Sequence, residues 1–201
     1  MITPPERSPE RDAALSATLP HVPFDGWTRL ALRRGLVDIA VPAVEAELLF
    51  PGGARDLIEA FCDLADRSME AAAAARNWGD TRLTGRVRGI IVMRLEQNRP
   101  HKEAIRRAVA ILALPGNAQL AFVCTARTVD AIWHAAGDRA TDFSWYTKRA
   151  ILAAAYTTTL LFWLDDSSEE DTATLAFLDR RLADVGRIGK VRRRLEGVLG
   201  R

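Results

Sequence analysis

Apolar positions recur along this chain at spacings of three and four rather than in alternation, so the pattern predicts helices throughout and no strands. The expected helices cover residues 24–36, 44–50, 55–75, 82–98, 102–112, 118–136, 142–164 and 172 to about 199. Pro42, Pro51-Gly52-Gly53, Gly79, Pro100, Pro115-Gly116 and Gly137 punctuate them, because a missing N–H or an easily left-handed residue stops a helix. The fold class is therefore all-α. No internal repeat or low-complexity linker interrupts it, which leaves one domain over 19–185, a flexible N-terminus over 1–18 and a basic amphipathic helix over 186–201.

Three of these helices carry more apolar surface than a surface helix needs. In 118–136 one stripe holds Leu120, Val123, Cys124, Ala131 and Ile132, and Phe122, Ala126, Val129 and Trp133 fill the next. In 142–164 the hydroxyls of Thr157, Thr158 and Thr159 can return to carbonyls four residues back, so the run can be buried without stranding polar groups. Ile90 to Met93 and Leu95 do the same service in 82–98. Such a bundle is either solid or encloses a ligand cavity, and periodicity leaves both open. If it is hollow, an apolar tunnel is expected to draw its lining from Val92, Leu95, Phe122, Val129, Ile151, Ala155 and Leu160.

With 201 residues, 48% hydrophobic and 27% charged, the chain has the size and composition of one ordinary domain. Residues 1–12 mix prolines with charges and lack an apolar h-region, so no secretory signal is expected. The longest apolar run, 150–164, falls short of the roughly 18 to 20 residues that span a bilayer. A soluble protein of a reducing cytoplasm is the expectation, with Cys62 and Cys124 as buried thiols. The net charge of +2 hides an asymmetry: from Arg180 to Arg201 the chain carries +6, leaving −4 elsewhere. An anionic surface is the natural partner of such a tail.

Catalytic constellations are not visible. His21, His101 and His134 are far apart, and no metal, nucleophile or phosphate-loop motif occurs. The absence of Glu-x-x-His argues against a helix-bundle di-iron enzyme. One string, Asp165-Asp166-Ser167-Ser168-Glu169-Glu170-Asp171, resembles the magnesium-binding aspartate-rich motif of isoprenoid synthases, whose carboxylates bridge metal to diphosphate. It lacks a second acidic motif, and serines and acids before Thr172 are what a helix N-terminus ordinarily shows. No catalytic residue, metal or cofactor is expected. A magnesium-dependent isoprenoid-diphosphate enzyme using Asp165 and Asp166 is the lesser alternative.

A helix ending Arg33-Arg34-Gly35, followed by Glu47-Leu48-Leu49-Phe50-Pro51 and Arg55-Asp56-Leu57, resembles the opening of TetR-type regulators. In that fold two further helices must fit before the hinge, yet only 36–49 is available. That stretch contains Asp38, Glu45 and Glu47 and no Lys or Arg, so DNA binding would forfeit its main electrostatic term. The fold is expected without the function, and no nucleic-acid partner; a transcription regulator remains the alternative.

The strings Trp133-His134-Ala135-Ala136-Gly137-Asp138, Thr141-Asp142-Phe143-Ser144-Trp145-Tyr146-Thr147-Lys148-Arg149-Ala150 and Asp165-Asp166-Ser167-Ser168 are similar to the ninth coenzyme Q protein family of ubiquinone biosynthesis. Pro23 to Trp27, Leu114-Pro115-Gly116-Asn117 and Phe177-Leu178-Asp179-Arg180-Arg181 extend the resemblance from about Leu19 to Val185. It implies a TetR-like fold, usually a homodimer, that binds isoprenoid lipids without known catalysis and assists the di-iron demethoxyubiquinone hydroxylase. On that footing the chain is expected to hold an isoprenoid quinone precursor, present it to the hydroxylase and sit peripherally at the inner membrane. Ser144 departs from the asparagine common in the family, and the arginine-rich tail is short.

The resemblance places the partner-facing patch on Asp142, Trp145, Tyr146 and Arg149, with Ser144 and Lys148 beside them. Tryptophan, tyrosine and arginine together are typical interface chemistry, although the residues alone equally allow Trp145 and Tyr146 to be interior. Trp133 and His134 read as structural, the histidine as a satisfied core residue. In the tail, Ile188, Val191, Leu195 and Val198 form a stripe among Arg187, Lys190, Arg192, Arg193 and Arg194, an interfacial membrane-binding pattern. Packing of that helix on the bundle or across a dimer is the alternative.

Overall fold

The computed structural model describes residues 3–138 and 144–183, apart from the side chains of 144 and 145. The chain is all-α, with no strand among the described residues.

The N-terminus differs from the flexible segment expected over 1–18: Pro9–Thr18 form a helix, α1. Pro9 stands in the first turn, where its missing N–H costs nothing, and Ser8 caps the helix by accepting from Arg11 N–H at 3.1 Å. Its proline and charge obscured the pattern, because the buried face comprises only Arg11, Ala14, Leu15 and Thr18. Arg11 is buried by pairing with Asp56 at 2.7 Å, and Arg67 reaches Asp12 at 2.7 Å.

The expected helix 24–36 is divided. A single turn, α2 (Val22–Asp25), ends at Gly26 with φ +70°, and Thr28 then caps α3 (Arg29–Asp38) by accepting from Ala31 N–H. A 3-10 turn at Ala43–Glu45 leads into α4 (Ala46–Leu49), and α1, α3 and α4 together form a small helical head. The apparent lack of room for a TetR-type head is thereby removed, since its first helix lies upstream in α1. Gly35 permits α1 and α3 to cross closely: a Cβ there would stand 2.7 Å from the backbone of Ala17 and Thr18.

The body comprises α5 (Ala54–Ala75), α6 (Leu83–Asn98), α7 (Lys102–Leu112), α8 (Ala118–Ala136), α9 (Ser144–Asp165) and α10 (172–183). Both α7 and α8 fall where the pattern placed them, α8 stopping at Gly137 in the left-handed conformation with φ +82°. Helix α5 packs against α8 and α6, and α8 also packs against α6 and α9. Buried Thr159 returns its hydroxyl to the Ala155 carbonyl at 2.7 Å, the back-bonding expected of the threonine run. Trp27 joins head to body, its indole donating to the Ala104 carbonyl at 2.8 Å and its ring 5.4 Å from Phe61. Ion pairs Arg88–Asp179 and Arg99–Asp171, with buried Leu178 and Leu182, fasten α10.

Candidate functional site: a cavity among the body helices

Helices α5 to α9 enclose a cavity of about 90 Å³. Helix α7 contributes only apolar side chains, Ile105, Ala108, Val109 and Leu112, and Phe61, Leu95, Leu160 and Trp163 extend that wall. The polar lining comes from Arg94 and Asn98 on α6, Thr125 and Thr128 on α8, and Tyr156 on α9, with Cys62 and Cys124 beside them.

Arg94 organises the polar side. Its Nη1 lies 2.6 Å from Asp66 Oδ1, its Nε donates to the Tyr156 hydroxyl at 2.8 Å, and Thr128 Oγ1 donates to Asp66 Oδ2 at 3.1 Å. Burial pushes the Asp66 carboxyl up to about 6 even though Arg94 and Thr128 oppose the shift. For Arg94, burial lowers the pKa, but Asp66 and Tyr156 outweigh it and hold the guanidinium charged. Burial also raises the Tyr156 phenol. The two cysteines are free thiols: the contact with Cys124 and burial push Cys62 well up, while the same contact draws Cys124 down against the effect of its own burial. Cys124 is the buried thiol expected, whereas Cys62 is half-buried; their meeting was not legible, since they are 62 residues apart.

An apolar cavity of about 150 Å³ accommodates one benzene. The space here is smaller, so the open tunnel expected from the apolar surplus is not formed in this structure. Leu95 and Leu160 line the cavity, whereas Val129 and Ala155 are buried in packing outside it. Val92 and Ile151 are half-buried outside its lining, and Phe122 is 68% exposed on the outer side of α8. Phe122 therefore lines no interior space in this chain alone. Its helical position one stripe away from Leu120 and Cys124 was read as inward because the whole helix is apolar. Arg94, Asn98 and Tyr156 were missed for the opposite reason: polar residues inside apolar runs signal a site only once the fold brings them together.

Of the residues expected to face a partner, Tyr146 is 70% exposed and Arg149 donates from Nε to Asp130 at 2.8 Å. Lys148 pairs with Asp138 at 3.1 Å, 5.8 Å above the Trp133 ring, so the start of α9 is tied to the end of α8. Asp142 and the side chain of Trp145 lie outside the described residues, as do Ile188, Lys190, Val191, Arg192, Arg194, Leu195 and Val198. Trp133 is half-buried. His134, expected in the core, is instead exposed at the rim of the α5–α8 contact, 3.3 Å from Glu70 of α5, while Ile132 and Ala136 are the buried positions of this turn.

The acidic string after α9 closes a turn. Asp166 accepts from Ser168 N–H and Thr174 N–H at 2.8 Å and from the Thr174 hydroxyl at 2.6 Å. These bonds outweigh its desolvation and hold its carboxyl well below the usual range. Asp165 pairs with Arg106 at 2.7 Å and Asp171 with Arg99 at 2.8 Å. In the head, Arg33 is 2.6 Å from Glu47 and Arg34 is 2.6 Å from Asp25, while Val37, Val44 and Leu48 are exposed. No single helix among the described residues is long and apolar enough to cross a membrane.

Comparison with known proteins adds three findings. The COQ9 family model matches residues 118–189. "Ubiquinone biosynthesis protein COQ9, mitochondrial" of Rattus norvegicus is 34% identical over 182 residues, covering 87% of this chain and 58% of the relative. The Homo sapiens protein of that name is also 34% identical, over 87% of this chain and 57% of its own length. The Drosophila melanogaster protein is 31% identical over 94% of this chain and 59% of its own length. The chain thus spans less than two thirds of the curated relatives it matches. A crystal structure described as a TetR transcriptional regulator from Nitrosomonas europaea superimposes with a TM-score of 0.70 at 24% identity, covering 88% of this chain and 97% of that one. The fold is TetR-like, the space and the polar cluster lie within it, and in sequence the chain is similar to the COQ9 proteins of ubiquinone biosynthesis.

Proposed function

We propose that the chain serves ubiquinone biosynthesis as a non-catalytic accessory protein that holds an isoprenoid quinone precursor and presents it to a demethoxyubiquinone hydroxylase. The observation that carries this reading is the cavity, an apolar-walled space in a chain whose COQ9 relatives are named for ubiquinone biosynthesis. Its α7 wall is a single short helix between two 3-10 turns, Arg99–His101 and Pro115–Asn117, an arrangement suited to yielding as a lipid chain enters. Each methylene transferred from water contributes about 0.8 kcal/mol, enough for a prenyl chain to offset such a rearrangement.

Presentation falls to the beginning of α9, where Tyr146 is exposed; Asp142, Trp145 and Arg149 are its neighbours in the sequence. Further along, residues 150–164 contain no charge, yet Ala150, Ala154, Thr158, Leu161 and Phe162 are exposed, a face suited to a second copy of the chain. Attachment to the inner membrane from the cytoplasmic side, through the basic tail, completes the proposal; the relatives named above are mitochondrial.

Organic extraction of the purified protein followed by mass spectrometry tests it. An isoprenoid quinone precursor at near one per chain is expected. Absence of any isoprenoid lipid, both as isolated and after incubation with precursor-bearing vesicles, sinks the carrier reading.

A second reading, operator binding, is favoured by the TetR-like head. Against it, Arg33 and Arg34 are occupied by Glu47 and Asp25, so the head offers phosphates little uncompensated charge. A gel shift with DNA upstream of the gene decides: no retarded band is expected, and a salt-sensitive, sequence-specific one favours the regulator.

A further inference from the structure

Two thiols meet on the seam between α5 and α8, outside the ion-pair network beside them. Thr128 of α8 donates to Asp66 of α5 at 3.1 Å, and His134 stands 3.3 Å from Glu70, so the two helices run side by side in the same direction. One turn before Asp66 and Thr128, the same faces carry Cys62 and Cys124. Both are free and both line the cavity, Cys62 half-buried and Cys124 buried. Arg127, paired with Glu59, lies within one turn of Cys124 on the same helix. Contact with Cys62, with Arg127 adding to it, holds the Cys124 thiol below its ordinary value against its own burial. Contact and burial push Cys62 the other way. The seam therefore holds one thiol disposed to ionise and a second, protonated one beside it.

We propose that Cys62 and Cys124 form a redox modification site, a dithiol that hydrogen peroxide converts to a disulfide bridging α5 and α8. The Cys124 sulfur attacks one peroxide oxygen as a thiolate: an S–O bond forms, the O–O bond breaks, and the departing hydroxide takes up the proton Cys124 gave and becomes water. The sulfur, oxidised by two electrons, is then a sulfenic acid. Cys62 attacks that sulfur; the S–S bond forms, the S–O bond breaks, and the hydroxyl leaves with the Cys62 proton as a second water. Two thiols and one peroxide thus give one disulfide and two waters. Peroxide is little larger than water, and a cavity of about 90 Å³ has room for it beside the sulfurs. In a reducing compartment such a bridge is transient, formed under oxidant and reversed by small thiols. It ties together two helices that line the cavity, and it does not depend on what the cavity carries.

Intact-mass spectrometry of the full chain, reduced and then exposed to a small excess of hydrogen peroxide, tests it. The expected product is an uncrosslinked single chain lighter by two hydrogens, with the Cys62 and Cys124 peptides joined, no thiol left to titrate in denaturant, and full reversal by dithiothreitol. Cys62→Ser should stop at a sulfenic acid on Cys124 that dimedone traps. Cys124→Ser should react about tenfold more slowly, having lost the thiol disposed to ionise. Circular dichroism confirms the fold of each variant. In the unsubstituted chain, persistence of both thiols, a disulfide found only between chains, or direct passage to sulfinic acid overturns the proposal whether or not the variants fold. So does a folded Cys124→Ser that reacts as fast as the unsubstituted chain. Thermal unfolding reads the fit of the bridge: the oxidised chain should melt no lower than the reduced one. A lowered midpoint, meaning that the bridge forms only by pulling α5 and α8 out of register, also overturns it.

Discussion

The Arg94 guanidinium meets the Asp66 carboxylate at 2.6 Å with both side chains less than 10% exposed, joining α6 to α5 beneath the cavity. Taking two charges out of water is costly, and the pair persists because Thr128 and Tyr156 satisfy their remaining bonds. Removing one partner leaves an uncompensated buried charge. Arg94→Met is therefore expected to destabilise the chain by about 3 to 5 kcal/mol, and combining it with Asp66→Leu should recover most of that loss. Urea unfolding measures both; a double variant no more stable than Arg94→Met would show that the pair contributes something other than charge compensation.

Two carboxylates three residues apart on α5 are expected to titrate in opposite senses. Burial raises Asp66 to about 6, above its unfolded value near 3.9, so the folded state binds the extra proton. Its contribution is fully present below the unfolded pKa and is lost as pH rises through about 6. For Asp63, burial works against ionisation, but hydrogen bonds from Arg7 and Arg67 outweigh it and hold the carboxyl below its ordinary range. That contribution is present above the unfolded pKa and is lost as pH falls through the depressed folded value. Unfolding free energies measured from pH 3 to 7 should show the component that falls with rising pH disappear in Asp66→Asn. The component that rises with pH should disappear in Asp63→Asn. Unchanged slopes in either variant would contradict the assignment.

Legibility in the sequence followed the physics of each element. Helices α7 and α8 were legible because their ends carry proline and glycine and their apolar spacing is regular. Helix α1 was not, because its buried face is only Arg11, Ala14, Leu15 and Thr18, and Arg11 becomes an interior residue only once Asp56, 45 positions later, is beside it. The same holds at the cavity. Leu95 and Leu160 were readable as apolar positions, but Arg94, Asn98 and Tyr156 acquire their meaning from contacts between α6 and α9 that periodicity does not encode. Composition left open whether Tyr146 is interior, and the fold shows it exposed.

The head holds two backbone positions whose residues work in opposite directions. Gly35→Ala places a Cβ against the backbone of Ala17 and Thr18 and should cost about 1 to 3 kcal/mol by forcing α1 from α3. Ala40, in the turn between α3 and α4, has φ +57°, a left-handed conformation that costs an L-residue about 1 kcal/mol. Ala40→Gly should therefore stabilise the chain by up to about 1 kcal/mol, since its side chain is exposed and makes no packing to lose. Thermal unfolding of the two variants checks both signs, and a destabilised Ala40→Gly would mean that the extra freedom glycine gains in the unfolded chain outweighs the relieved strain.

Beyond α10 the chain continues with Ile188, Val191, Leu195 and Val198 recurring on one helical stripe among Arg187, Lys190, Arg192, Arg193 and Arg194. Each basic residue close to an anionic surface contributes roughly 1 kcal/mol, so five of them with a modest apolar stripe give attachment that is reversible and weakens with salt. Gly186 and Gly189 lower the helix propensity of this stretch of sequence by about 1 kcal/mol each relative to alanine. Truncation after Val185 is accordingly expected to abolish flotation with anionic vesicles and to leave the thermal midpoint of the body nearly unchanged. Packing of the tail on the bundle or across a dimer makes the contrary prediction, a lowered midpoint. Flotation of the truncated chain equal to that of the full chain would rule out the tail as the membrane contact.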